Sequence, residues 1–358
     1  FDYKWCKYDN ASAMRQVGST FKPLLYTLAV TDAGYTPETV IPGGALTLNG
    51  KTISGGGGTM AYCLAQSKNA AAWRLMSVIG VKRTLEFAQQ CGINTQLPPY
   101  PSIALGSAEI PMVEMLQSYT MFPNRGYNTE PVYLTRIEDK NGNLVFEFPL
   151  AQSKQVIGEV DDYTMVKLME GVVKSGTARS LNSYNIPVAK AGKTGTTNNY
   201  TDGWFIGYTP DLLAGTWVGC ADPFIPIYSN NVGGAEMSAP RWGIFMSKVA
   251  ADKKLDYNKK KDFDEPPEMK MDPIYADNSR FAELLNQGDS LTVDSGVNDG
   301  GDFFNEEPID ETQGTNDINS PKQDTIKMPA GKDPAKGNES KKQEKVVPKK
   351  PEEKGNDY

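Results

Sequence analysis

Three strand-length runs follow one another with only short turns between them. They are Val188-Ala189-Lys190-Ala191-Gly192-Lys193-Thr194-Gly195-Thr196-Thr197, then Gly203-Trp204-Phe205-Ile206-Gly207-Tyr208, then Leu212-Leu213-Ala214-Gly215-Thr216-Trp217-Val218-Gly219-Cys220. Strands joined this closely pair naturally as an antiparallel meander. The regular elements before them read mainly as helices. Residues 19–33 form an apolar helix closed by Gly34, and 59–65, 69–79, 81–90, 111–122 and 161–173 carry helical spacing. Residues 132–138 and 144–148 bracket Lys140-Asn141-Gly142-Asn143, a hairpin signature. A last helix spans 239–251. Residues 36–54 read as a loop with at most one hairpin. Gly55 to Gly58 read as a flexible break and not as a phosphate loop, because no Gly-Lys-Ser/Thr follows. The class is α+β, with helices packed on an antiparallel sheet.

Residues 1–255 are expected to form the folded domain. From 256 to 358 apolar content falls and Asp, Lys, Glu, Pro, Asn and Gly take over, which predicts a disordered tail. Net charge is −7 and neither sign forms a sustained patch in the folded part, so a nucleic-acid footprint is not expected. Cys6, Cys63, Cys91 and Cys220 show no Cys-x-x-Cys spacing and the chain has 0 His, which argues against a zinc site and leaves no metal or cofactor implied. Buried free thiols are preferred over a Cys63–Cys91 disulfide. The first ten residues read as an extended segment. The chain starts at Phe1 without a signal peptide or an apolar run long enough to span a bilayer, so a fragment lacking its targeting region is expected.

Arg15-Gln16-Val17-Gly18-Ser19-Thr20-Phe21-Lys22-Pro23 places a serine three residues before a lysine. On a helix opening at Ser19 the two lie on one face, and an amine in a partly desolvated cleft can serve as a general base. Without histidine, Ser-Lys is the remaining route to an activated serine. Taken alone the spacing fits an N-capping serine and a solvated lysine equally well. Ser67-Lys68-Asn69, in a turn between helices, adds a second hydroxyl and an amide. Lys193-Thr194-Gly195-Thr196 on a strand edge offers a cation, two hydroxyls and a glycine beside which a ligand backbone can lie, suiting a substrate that ends in a carboxylate. Ser-x-Asn recurs at Ser180, Ser183 and Ser229, and Lys174-Ser175-Gly176-Thr177 imitates the third motif. Their positions along the chain disfavour them.

These motifs, in this order, are the set known from class A β-lactamases and penicillin-binding proteins. With Gly176-Thr177-Ala178, Leu105-Gly106-Ser107-Ala108-Glu109, Phe122-Pro123-Asn124-Arg125-Gly126-Tyr127 and residues 202–210, residues 7–248 resemble the transpeptidase domain of class A, bifunctional penicillin-binding proteins. Val17 stands where the family usually has proline, and Arg125 where it often has glycine. The family's membrane helix, glycosyltransferase domain and opening strand of the transpeptidase sheet have no counterpart here, so only the cross-linking activity is expected. A membrane anchor is expected only in the missing N-terminal part.

The resemblance implies a β-lactamase/transpeptidase-like fold and a DD-transpeptidase outside the cytoplasmic membrane. Ser19 would attack the D-Ala-D-Ala carbonyl of a peptidoglycan stem peptide, and an amine acceptor on a neighbouring stem would resolve the acyl-enzyme. Lys22 would be the base, which requires roughly 4 kcal/mol of desolvation and neighbour-charge energy, part of it supplied by Lys193. Ser67 would relay the proton, Asn69 would hold the substrate amide, and Lys193, Thr194 and Thr196 would bind the carboxylate. The Ser19 and Thr196 N–H groups would form the oxyanion hole, and β-lactams would acylate Ser19. The alternatives are a β-lactamase-like hydrolase, whose carboxylate motif is imitated only by Glu283-Leu-Leu-Asn286, and a non-catalytic β-lactam-sensing domain.

Overall fold

A single 3-10 turn, Gly18–Phe21, runs directly into helix α1, Lys22–Thr31. Every residue of α1 from Lys22 to Val30 is buried, as a helix apolar nearly all round must be. Around it the computed structural model describes Lys4 and residues 9–227, 233–255, 257 and 259–269, all within the compact unit Phe1–Asn305. The extended N-terminal segment with Cys6, Ser229, Glu283 to Asn286 and most of the expected tail lie outside the described residues.

Four short strands follow: β1 Val40–Ile41, β2 Leu46–Leu48, β3 Lys51–Ile53 and β4 Gly58–Thr59, paired antiparallel as β1 with β4 and β2 with β3. The glycine run is therefore a close-packed crossing and not a break. A Cβ on Gly43 would lie 2.7 Å from the Gly57 nitrogen, and Gly44 N–H donates to Gly55 C=O at 2.8 Å. Helices α2 Met60–Ala65, α3 Asn69–Ile79 and α4 Val81–Gln90 come next. Thr59 caps α2 by accepting the Tyr62 N–H at 3.1 Å, the N3 position where such a cap is needed.

Helix α5, Met112–Tyr119, is shorter than expected, because the chain tightens into a 3-10 turn at Phe122–Asn124. Arg125 then takes a left-handed conformation, φ +54°, and pairs with Glu159 at 2.7 Å. Strand β5 Tyr127–Thr129 pairs with β8 Ser153–Gln155. Between them β6 Arg136–Glu138 and β7 Leu144–Glu147 form the hairpin read from the sequence, exposed along its length. Helix α6, Glu159–Lys174, places Glu159, Asp161 and Asp162 in its first turn and Lys174 in its last, the polarity its dipole favours.

The meander is β9 Ala191–Thr196, β10 Asp202–Tyr208 and β11 Leu213–Gly219, in sheet order β11-β10-β9 with both pairs antiparallel. Helix α7, Gly234–Ala251, covers β10 and β11, and α6 packs on β9. Trp242 meets Phe205 edge to face at 5.4 Å and donates its indole N–H to the Gly207 and Ala214 carbonyls. Helix α7 starts before the expected residue 239, at an N-terminus where Glu236 accepts the Gly233 N–H at 3.1 Å, and Pro240 lies inside it, where it forfeits one hydrogen bond without ending the helix.

Packed chain also continues beyond the boundary expected at 255. Ala189 N–H donates to Lys261 C=O at 2.8 Å, Phe263 meets the Tyr208 ring at 5.5 Å, and Met269 is buried. A few spaced apolar anchors hold a polar stretch against the body. Cys63 and Cys91 are buried free thiols and Cys220 is a half-buried one. Burial pushes the Cys63 thiol up to about 12.

Candidate active site

Gly18 opens the 3-10 turn at φ +52°, and a Cβ there would lie 2.5 Å from the Thr196 carbonyl oxygen. Glycine is thus what lets this turn press against the free edge of β9. The segment leading into the turn is tied to residues 106–110 by Gly18 N–H to Gly106 C=O at 3.0 Å, Val17 N–H to Ala108 C=O at 3.2 Å and Ile110 N–H to Arg15 C=O at 2.9 Å, with a single antiparallel bridge at Gln16 and Glu109. Ser19 is half-buried, and its hydroxyl makes no hydrogen bond among the described residues. Lys22 follows one 3-10 repeat later, the spacing at which side chains stack. The shared Ser19–Lys22 proton expected from the sequence is therefore not formed in this state. The Lys22 amine, fully buried, donates instead to Ser67 C=O and to Asn69 Oδ1, both at 2.6 Å, and lies 3.3 Å from Ser67 Oγ.

Ser67 terminates α2 in a Schellman arrangement: Ser67 N–H reaches Leu64 C=O at 3.1 Å and Lys68 N–H reaches Cys63 C=O at 2.9 Å. The residue at that corner takes a left-handed conformation, usually as glycine, and here it is serine at φ +58°. Backbone strain of this kind costs about 1–2 kcal/mol for an L-residue, and it aims the Ser67 hydroxyl at two amines at once. Asn69, exposed, sits at the first position of α3 two residues later.

From the sheet, Lys193 extends its fully buried amine to the same hydroxyl, at 2.9 Å, and to its neighbour's Thr194 C=O at 3.1 Å. Two lysines on one hydroxyl cannot both stay charged at low cost when both amines are fully buried. Burial pushes Lys193 well below the ordinary lysine value, and the Lys22 charge pushes the same way. An amine that gives up its proton keeps two N–H groups to donate and gains a lone pair. A proton can pass between the amines through Ser67 without any heavy atom moving far.

Thr194, buried, shares a 2.6 Å hydrogen bond with Thr177, whose N–H donates to Ala65 C=O at 3.1 Å. Thr177 ties the strand to the end of α2. Sequence reasoning gave it no role, although Gly176-Thr177-Ala178 was in plain view. Gly195 does not leave room for a ligand as expected: the space beside it is filled by Val17 C=O, 2.7 Å from where a Cβ would sit. Thr197 N–H donates to Asp202 C=O, so Gly195 and Trp204 form the next hydrogen-bonded pair. Thr196 N–H and C=O therefore point off the free edge, toward the Ser19 turn. Its hydroxyl accepts the Gly234 N–H of α7 at 3.0 Å, leaving its own proton to give.

Among the described residues, Ser183 and Lys174 of the false partners bond elsewhere. Ser183 bonds to Ser180 C=O in a 3-10 turn, and Lys174 ends α6 on Glu170. Among the described residues no group of acidic, cysteine or histidine side chains could hold a metal ion.

The sequence pattern of the family described as "Penicillin binding protein transpeptidase domain" matches residues 7–218. Penicillin-binding protein 1A of Aquifex aeolicus (strain VF5) is 30% identical over 279 residues, covering 74% of this chain and 37% of the relative. The crystal structure of penicillin-binding protein 1A from Haemophilus influenzae is similar with a TM-score of 0.67 at 23% identity, over 74% of this chain and 46% of the other. PonA1 from Mycobacterium tuberculosis in complex with penicillin V gives a TM-score of 0.59 at 23% identity, over 68% and 71%. The structural likeness shows a common fold. The chain spans between 28% and 37% of the length of the first curated relatives it matches.

Proposed function

We propose, from the premise that this chain belongs to the penicillin-binding protein transpeptidase family, that it cross-links peptidoglycan stem peptides through an acyl-enzyme on Ser19. The observation that carries the reading is the Ser67 hydroxyl held between two fully buried amines beside the turn that presents Ser19.

Ser19 Oγ forms a bond to the carbonyl carbon of the penultimate D-alanine and passes its proton to the lone pair of a neutral amine, Lys22 being the nearer along the chain. The oxyanion is stabilised by the N–H groups of Ser19 and Thr196, each donor of this type supplying about 3 kcal/mol in the transition state. Ser67 returns the proton to the departing nitrogen, the C–N bond breaks, and D-alanine leaves. An amine from a second stem then attacks the ester, loses its proton along the same path and regenerates Ser19. Asn69 holds the donor peptide's amide, and Lys193 with the Thr194 and Thr196 hydroxyls meets its terminal carboxylate. A β-lactam opens its ring on Ser19 and keeps its leaving nitrogen tethered in the cleft. Because the substrate lies outside the cytoplasmic membrane, the reading carries an extracytoplasmic location. No helix among the described residues is long and apolar enough to cross a membrane.

Mass spectrometry after penicillin treatment of the full chain tests this directly. A stable adduct mapped to Ser19 and absent from Ser19→Ala is expected, followed by cross-linking of a stem-peptide donor to an amine acceptor. Rapid turnover of penicillin would instead indicate a hydrolase, an adduct without cross-linking would indicate a sensor, and an adduct elsewhere would refute the assignment.

A further inference from the structure

Asp202, at the first position of β10, is 3% exposed and accepts three side-chain hydrogen bonds. Trp217 Nε1–H reaches Oδ1 at 2.9 Å, and the Thr201 and Thr197 hydroxyls reach Oδ2 at 2.8 and 3.2 Å. Its backbone is tied to the same threonine in both directions, Asp202 N–H to Thr197 Oγ1 at 3.0 Å and Thr197 N–H to Asp202 C=O at 3.2 Å. This knot closes the connection that leaves β9 immediately after Thr196. The connection contains two non-glycine residues in left-handed conformations, Asn199 at φ +58° and Tyr200 at φ +55°, so it holds a shape it would not keep unaided.

Over the face of the Trp217 ring lies Arg15, its guanidinium carbon 4.8 Å from the ring centroid. Arg15 is buried, donates one N–H to Ala221 C=O at 2.8 Å, and leaves Nε and Nη1 without a hydrogen-bond partner among the described residues. Its charge is offset through the indole, which has a cation on its ring face and a carboxylate at its N–H edge. Arg15 begins the segment that ends at Ser19, and the next residue, Gln16, gives its carbonyl to Trp204 Nε1–H at 2.9 Å.

We propose that Asp202 is a positioning residue: through Thr197 on one side and Trp217 with Arg15 on the other, it fixes the Thr196 edge of β9 against the Ser19 turn. The proposal rests on the transpeptidase reading above. Asp202 touches no substrate. Its work is to set the separation of the two backbone N–H groups between which the oxyanion forms, and both acylation and loss of the acyl group pass through that oxyanion.

The test compares Asp202→Ala, Asp202→Asn and Trp217→Phe in the full chain, reading the rate of acylation by a fluorescent penicillin and the lifetime of the adduct in the folded fraction. Asp202→Ala is expected to slow acylation at least tenfold and to lengthen adduct lifetime in parallel. Asp202→Asn, which still accepts from Trp217, is expected to lie between it and the wild type. Trp217→Phe keeps a ring under Arg15 but loses the N–H, and should also acylate severalfold more slowly. A role in stability alone would lower the amount of labelled protein without altering either rate. Folded variants within twofold of wild type in both rates would overturn the proposal, and if Asp202→Ala fails to fold, Trp217→Phe decides alone. Absence of any adduct on the wild-type chain would mark the failure of the transpeptidase reading itself, and the brace would fall with it.

Discussion

Replacing Gly18 with alanine tests how tightly the nucleophile turn is built. The residue sits at φ +52°, where an L-side chain costs about 1–2 kcal/mol. The new methyl would stand 2.5 Å from Thr196 O and 3.0 Å from its carbonyl carbon, both backbone atoms of a paired strand that cannot swing aside. Overpacking of this kind adds about 1–3 kcal/mol, so a total loss of stability of about 2–5 kcal/mol is expected. The turn and the strand relieve the clash only by separating by roughly 1 Å, a misplacement that can slow a reaction about 100-fold, equivalent to about 2.7 kcal/mol on the barrier. Urea unfolding reads the first quantity and stopped-flow acylation by a fluorescent penicillin reads the second. A Gly18→Ala protein with an unshifted midpoint and a native acylation rate would refute the close apposition and the mechanism built on it.

Two further outcomes follow from the same site. Ser67→Ala should reduce acylation by about 10²–10⁴, the usual contribution of a positioned proton-transfer group. Ser67→Gly should lose as much yet gain about 1 kcal/mol in stability by relieving the left-handed corner, and a drop in its melting temperature would contradict the strain assigned to φ +58°. Lys193 is the subject of the second. Because burial lowers its proton affinity in the folded chain, the unfolded chain binds more protons between that lowered value and about pH 10.4, so its contribution to stability rises with pH across that window. Wild-type stability minus that of Lys193→Met should therefore climb with pH by up to about 1.4 kcal/mol per pH unit. The subtraction cancels the opposing titration of buried Cys63 and Tyr119, and a difference that stays flat from neutral to alkaline pH would count against a buried, easily discharged Lys193.

Much of this architecture was readable from local pattern. The bounds of α3 and α4 and the three meander strands follow from apolar spacing and glycine punctuation, and they needed no tertiary knowledge. The Ser19–Lys22 spacing survived although the turn there is 3-10 and not α. What escaped was non-local. The turn between helices at Ser67 was legible, but nothing around it announces a left-handed, glycine-like corner, and nothing in Lys193 alone says that its amine ends on Ser67 and not in solvent. Gly195 was read as room for a ligand because a strand edge has two sides, and the sequence does not say which backbone will lie against it. Pro240 hid the start of α7, and the low apolar content after residue 255 hid the anchors Phe263 and Met269.

The hydrogen bonds that assemble the cleft join residues remote in the chain: 126 positions separate Lys193 from Ser67, 188 separate Trp204 from Gln16, and 206 separate Ala221 from Arg15. During synthesis the serine-bearing segment would emerge long before the strands that complete it, and chains closed by such distant contacts reach their native state slowly. Any partly folded species would then be chemically silent, because no subset of the early helices contains both amines. Capacity to react with penicillin should consequently appear late and all at once during refolding, making the drug itself a timer for the last step of assembly.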